Sequence, residues 1–266
     1  MNDDIIGKVT DYLRYRTECG ERTVELEPET LAALRGVSKE GRASPRTEGP
    51  SPGTGQAPLR PQMPTQPPGE DRAPSRPPMG APDSLETIAA ESAACSACGL
   101  CNGRKQAVPG QGKAERPDLM FIGEAPGADE DEQGLAFVGR AGQLLTKMIA
   151  AMGYAREEVF IANICKCRPP NNRTPTPGEM AACIPFLKRQ IALIRPRYIV
   201  ALGNTAILGL LGKSGIMRLH GVWQEFEGIP LMPTFHPAYL LRLPAAKRDC
   251  WKDLQLVMAA LGKPLP

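Results

Sequence analysis

Eight cysteines in a chain of 266 residues are its most chemically loaded side chains. Cys95-Ser96-Ala97-Cys98 forms a C-x-x-C pair, with Cys101 three residues further on. Cys165, Cys167 and Cys183 lie in "ICKCRPPNNRTPTPGEMAACI", 164–184, among arginines, asparagines and prolines. Cys19 and Cys250 are isolated. Thiols beside cations ionise and react easily, so a loop of this kind either has its sulfurs held or does chemistry with them. A C-x-x-C pair offers two thiolates to one metal centre, and four sulfurs close a zinc site or an iron–sulfur cluster. Spacing alone leaves zinc, cluster and unrelated free thiols open. The usual second zinc pair is stretched here to Cys167 and Cys183, and a redox C-x-x-C normally follows a strand, which this one does not.

The elements that must position these groups follow from composition and periodicity. The formal charge is only +3, so the chain as a whole does not announce a polyanion partner and local charge must decide. The start, "MNDDIIGKVTDYLRYR", lacks the basic and apolar regions of a secretory signal, and no apolar run approaches the roughly 18 residues of a membrane span. The expected setting is therefore the reducing cytoplasm, with no membrane contact, where clustered cysteines are more often ligands or catalytic groups than disulfides. From Ser44 to Asp83, 12 of the 28 prolines occur and Leu59 is the only large aliphatic residue. That composition predicts a disordered linker over 44–83. Before it, Ile5, Ile6, Val9, Tyr12 and Leu13 recur at helical spacing behind Asn2 and Asp3, and a second short helix is expected near Pro28 to Leu34. Residues 1–43 are thus a small helical extension, either a docking element for a protein partner or a weakly ordered tail.

From Ser84 onward strand and helix patterns alternate. Strands are expected at 118–123, 158–164, 198–203 and 228–235. Between them, Leu144, Leu145, Met148, Ile149 and Met152 mark one helix face closed by Gly153. Thr176-Pro177-Gly178-Glu179 reads as a capping box opening another helix, in which Pro185 predicts a kink or break. Helices are also expected after 198–203 to about Leu211 and from about Ala246 to Leu261. This alternation predicts an α/β fold, a three-layer sandwich whose central, mostly parallel four-stranded sheet is covered on both faces. Ligands of such sheets bind beyond the carboxyl ends of the strands, so Gly123–Gly127, Asn163–Arg168, Gly203–Thr205 and His236 should converge on one cleft.

The segments "VPGQG" (108–112), "GEAPGADEDEQGLAFVGRAGQLL" (123–145), "NICKCRPPNNRTPTPGE" (163–179), "LGNTA" (202–206) and "FHPAYLLR" (235–242) occur in this order. Together they closely resemble the family 4 uracil-DNA glycosylases, over about Ser84 to Leu261. The resemblance implies a uracil-DNA glycosylase-like domain over 84–266 that excises uracil from DNA, acts as a monomer and carries a 4Fe-4S cluster. Carried over residue by residue, the cluster ligands are Cys95, Cys98, Cys167 and Cys183, with Cys101 and Cys165 as bystanders or substitutes. A non-catalytic DNA-binding module bearing a cluster or zinc is the alternative from another class.

The resemblance also implies the base-handling groups. A base inside a duplex must be flipped out before its glycosidic bond can be reached. Phe137 is then the stacking platform and Asn163 the reader of the uracil edge. His236 donates a hydrogen bond to the departing base, and Glu124 positions the attacking water or stabilises the cationic sugar. Ala125 contacts the base through its backbone, and Glu130 crowds the position of the thymine methyl. Arg168, Arg173 and Arg242 are the candidate phosphate contacts, along with Arg140, Lys247 and Arg248. Tyr239 to Leu241, Leu240 among them, would fill the gap left by the flipped base. His220, the other histidine, is assigned a structural place.

Overall fold

The computed structural model describes residues 83–264. The expected helical extension, and all of the expected linker but Asp83, lie outside the described residues. The chain enters through helix α1 (Leu85–Ala94), capped by Ser84, whose Oγ accepts from the Thr87 amide at 3.1 Å. Strand β1 (Gln111–Gly112) is followed by β2 (Leu119–Gly123), then helices α2 (Ala128–Gln133) and α3 (Arg140–Ala151). Next come β3 (Phe160–Asn163), α4 (Pro177–Ile194), β4 (Tyr198–Leu202), α5 (Asn204–Leu211) and α6 (Ile216–Leu219). Strands β5 (Gln224–Phe226) and β6 (Ile229–Thr234) lead into α7 (Pro237–Arg242) and α8 (Lys247–Ala260).

The sheet has six strands in the order β1-β3-β2-β4-β6-β5. The four expected strands form its parallel interior, and β1 and β5 add antiparallel edges. The four-stranded expectation is corrected on this point. The two-residue β1 and three-residue β5 are too short for periodicity to register, and each takes its strand geometry from its neighbour. Strands β2, β3 and β4 read as unbroken apolar runs because both faces are covered, and nearly every residue in them is buried.

The strand order also distributes the helices. The chain leaves β2 for β3 in one direction and returns from β3 to β4 in the other. Right-handed crossovers therefore put the two connections on opposite faces. In keeping with this, α4 packs against α1 and α5, while α3 packs against α7. The reversal falls between β2 and β4, which is where a parallel sheet opens a crevice at its carboxyl edge.

Helix α4 begins as its sequence implies. The Glu179 amide donates to Thr176 Oγ1 at 3.3 Å, and Glu179 Oε2 accepts from the Thr176 amide at 2.8 Å. It then runs without a break through Pro185. Pro185 and Ala181 both lie on the exposed side, so the carbonyl that loses its partner can be satisfied by water. Helix α3 ends at Met152, with Gly153 at φ 75° as the reversing residue.

Phe121 sits fully buried in the middle of β2, between β3 and β4. Phe121→Ala should destabilise the fold by about 3–5 kcal/mol, read as a lowered denaturation midpoint.

Candidate active site at the carboxyl edge of the sheet

Four strand ends deliver the expected residues to one edge. Gly123 closes β2 and pairs with Asn163, which closes β3. The ladder continues past both, with the Ile164 amide on Gly123 O and the Cys165 amide on Glu124 O, each at 3.0 Å. Asn163 is therefore held by backbone on both sides, and it is 1% exposed. Its Oδ1 is buried without a hydrogen-bond partner among the described residues. A buried acceptor left unpaired costs about 1–3 kcal/mol, and such an atom in a cleft is poised for a donor brought from outside.

Gly123 forms the floor beneath that oxygen. A Cβ at this position would lie 2.4 Å from Phe137 Cζ and 2.5 Å from Asn163 Oδ1. Only glycine lets the ring and the amide meet there. Phe137 stands in the loop between α2 and α3, buried, with its ring centroid 5.6 Å from that of His236. Its backbone adopts φ 53°.

His236 follows β6 and caps α7, and its Nδ1 accepts from the Ala238 amide at 3.1 Å. Burial, reinforced by the nearby Arg242 guanidinium, pushes its pKa down to about 4. The ring is therefore neutral near pH 7. With Nδ1 occupied as an acceptor, the proton resides on Nε2, which is a hydrogen-bond donor.

Glu124 lies just past β2, at the crevice between β2 and β4. Thr205, in the first turn of α5, donates from Oγ1 to Glu124 Oε2. Burial raises the carboxyl above the ordinary glutamate value, while the Thr205 hydrogen bond and Arg242 pull it back. Thr205 belongs to one of the segments expected at the cleft, and its hydrogen bond to Glu124 gives it a task there. Ala125 is part-buried on the same turn.

Other expected residues are held by neighbours of their own. Glu130 is buried with its carboxylate fully engaged. Oε1 accepts from the Val138 and Gly139 amides at 2.9 Å each, and Oε2 from the Gly127 amide at 3.0 Å. It braces the loop that bears Phe137. Leu240 is 1% exposed, so it is core, and Leu241 is the leucine of that pair at the surface. Tyr239 stacks on Phe235 at 5.4 Å. Arg173 grips Glu179 through both guanidinium nitrogens, at 2.6 and 2.8 Å, which neutralises much of its charge. Arg168 bonds Asn172 Oδ1 at 2.7 Å, and Arg242 is exposed beside the Glu124–His236 crevice. His220 bonds Asp253 at 3.2 Å and stacks on Phe235 at 4.5 Å, in the layer behind His236.

The cysteines gather elsewhere. Cys95, Cys98, Cys101, Cys167 and Cys183 line one pocket, with Arg104 and Lys166 at its wall. Three N–H groups donate to these sulfurs: Arg104 Nη1 to Cys167 at 3.0 Å, the Lys166 amide to Cys183 at 3.2 Å, and the Ala97 amide to Cys95 at 3.5 Å. Such donors favour thiolate, against burial, which raises the thiols of Cys167 and Cys98 above their ordinary value. The hydrogen bond with Cys165, helped by the nearby Lys166, holds the Cys183 thiol below its ordinary value, while Cys165 is held above its own. Lys166 is 1% exposed, and its Nζ donates to Asn163 O at 3.0 Å and Gln190 Oε1 at 2.7 Å. Among the described residues no carboxylate bonds it, and burial pulls its pKa down to about 8 against the opposing pull of the nearby Cys183 and Cys165 sulfurs. A buried cation needs a compensating anion. A thiolate-bound anionic group in the cavity meets that need, so the donor set fits a metal–sulfur centre.

The depressed pKa of His236 makes stability depend on pH. The native ring binds a proton only near pH 4, whereas the unfolded ring binds one near 6.5. Between these values the unfolded state holds more protons, so this stability is present above about pH 6.5 and is lost as pH falls towards 4. His236→Asn should flatten the denaturation midpoint across that window relative to the parent.

Comparison with known proteins agrees with this geometry. Residues 109–255 match the family model of the uracil DNA glycosylase superfamily. A type-4 uracil-DNA glycosylase of Pyrobaculum aerophilum is 44% identical over 177 residues, covering 61% of this chain and 87% of the relative. One from Thermotoga maritima is 46% identical over 161 residues, covering 59% and 83%. One from Archaeoglobus fulgidus is 41% identical over 193 residues, covering 69% and 96%. With those matches and a crevice built from β2, β3, β4 and β6, the chain belongs to the type-4 uracil-DNA glycosylases.

Proposed function

We propose that this chain excises uracil from DNA by hydrolysing the bond between the base and its deoxyribose, and that the crevice at Gly123, Asn163 and His236 receives the flipped base. The observation that carries the reading is the unpaired, buried Asn163 Oδ1 beside Phe137. Uracil presents an N3–H donor to such an acceptor and its O4 to the amide nitrogen. Cytosine presents a lone pair and an amino group in the same places, so both contacts become repulsive. Selection of this kind rests on leaving the wrong partner's polar groups unpaired.

Phe137 supplies the stacking face, worth about 1–3 kcal/mol per base. As the bond from N1 to C1′ breaks, its electron pair leaves with the base and negative charge spreads onto O2. The Nε2–H of a neutral His236 stabilises that charge, a contribution of about 10²–10³ in rate. Positive charge develops on the sugar, where the Glu124 carboxylate, oriented by Thr205, is suited to stabilise it or to hold the attacking water. Water adds at C1′, its proton is lost to Glu124 or to solvent, and an abasic site remains.

Cys95, Cys98, Cys167 and Cys183 would hold a 4Fe-4S cluster. Bound there, it supplies a covalent tie between the segment before β1 and the loop that leads from Asn163 to α4. Arg168 and Arg242 are the proposed phosphate contacts, and the exposed Leu241 is the proposed filler of the vacated stack. Among the described residues no helix is long and apolar enough to cross a membrane.

The test is a uracil-containing oligonucleotide incubated with the protein and then cleaved by alkali at abasic sites. The parent should cut at uracil and Asn163→Ala should lose the activity. Asn163→Asp should gain activity on cytosine relative to uracil, and equal loss on both bases would remove Asn163 from the reader's role. Purified protein should show the broad visible absorption of an iron–sulfur centre, weakened by Cys167→Ser.

A further inference from the structure

Arg156 enters no role assigned so far. It opens a short 3-10 turn, Arg156–Glu158, well separated in sequence from the loop of Phe137. Its Nη2 nonetheless donates to two consecutive carbonyls of that loop, Ala136 O at 2.5 Å and Phe137 O at 2.9 Å. Its Nη1 donates to Thr146 Oγ1 at 2.8 Å, and that hydroxyl in turn donates to Gly142 O at 3.1 Å. The guanidinium fork thus joins the loop to the first half of α3.

The loop needs such a grip. Phe137 is a bulky residue at φ 53°, a conformation that costs about 1–3 kcal/mol and persists only where its surroundings over-determine it. Glu130 holds the amides that follow Phe137, and Arg156 holds the carbonyls at and before it. A cation on the carbonyls and an anion on the amides leave the peptide units on either side little freedom to rotate. Gly142 closes the third side, since a Cβ there would lie 1.9 Å from Phe137 O.

From this geometry we infer that Arg156 is a positioning residue for uracil excision. It acts through the Phe137 backbone to hold the aromatic platform over Gly123 and opposite His236. Arginine suits the task because its planar fork binds two acceptors at once and stays charged, which lysine cannot match. Without the fork the backbone relaxes towards an ordinary φ and the ring leaves its place. A shift of about 1 Å in a substrate-positioning group is enough to cost about 10²-fold in rate.

This inference rests on the proposed function, and the experiment separates the two. Single-turnover excision of uracil is measured for the parent, Arg156→Met, Arg156→Lys, Phe137→Leu and the double variant Arg156→Met/Phe137→Leu. Arg156→Met should slow the chemical step by about 10–100-fold, with Arg156→Lys intermediate. In the Phe137→Leu background Arg156→Met should add less than about twofold, because the group it positions is already gone. A purely structural arginine would instead give losses that multiply. Multiplying losses, a parent-like rate for Arg156→Met, or a parent-like rate for Phe137→Leu each overturns the inference. Should Arg156→Met fail to fold, as read by circular dichroism, the same cycle is run with Arg156→Lys. An inactive parent would overturn the proposed function instead.

Discussion

A buried carbonyl oxygen with nothing to bond is the constraint around which this molecule is arranged. Asn163 Oδ1 lies among apolar neighbours at the end of β3. Left to itself the side chain would rotate to find a donor. The ladder to Gly123 and the two amide bonds just beyond it hold the backbone, and the ring of Phe137 limits the space. The penalty of the unpaired atom is offset by the stability of a core in which the parallel strands are covered on both faces. Specificity follows from it, since only a ligand with a donor at that place removes the penalty.

Around this atom the site is made by opposing charges that hold backbone rather than substrate. Glu130 and Arg156 grip the loop of Phe137 from its amide and carbonyl sides. Lys166 holds the carbonyl of Asn163 itself and sits against the sulfur-lined cavity. The cavity and the crevice are thus joined through one buried side chain. That connection explains why a cysteine-bearing loop and a base-reading asparagine occupy one short stretch of sequence.

His236 illustrates the same economy. One amide, that of Ala238, occupies Nδ1, and burial beside Arg242 keeps the ring neutral. The tautomer follows from these two facts, and with it a donor rather than an acid at the crevice. A protonated ring would bind the developing anion more strongly, but it would have to be kept charged where water is excluded and a cation lies close.

By itself the sequence determined the alternation of strands and helices, the parallel interior of the sheet, the capping box of α4 and the convergence of four strand ends. These are properties of short segments, set by local periodicity and by the chirality of crossovers. Motif order likewise marked Glu124, Phe137, Asn163 and His236. Tertiary structure alone decided the rest. The edge strands β1 and β5 are too short to carry a pattern, Pro185 is accommodated because its side of α4 faces water, and Leu240 rather than Leu241 turns into the core. Arg156, Lys166 and Thr205 are ordinary polar residues in sequence. Their roles come from which backbone atoms the fold brings within about 3 Å of them, the reach of a hydrogen bond, and that proximity depends on long-range packing.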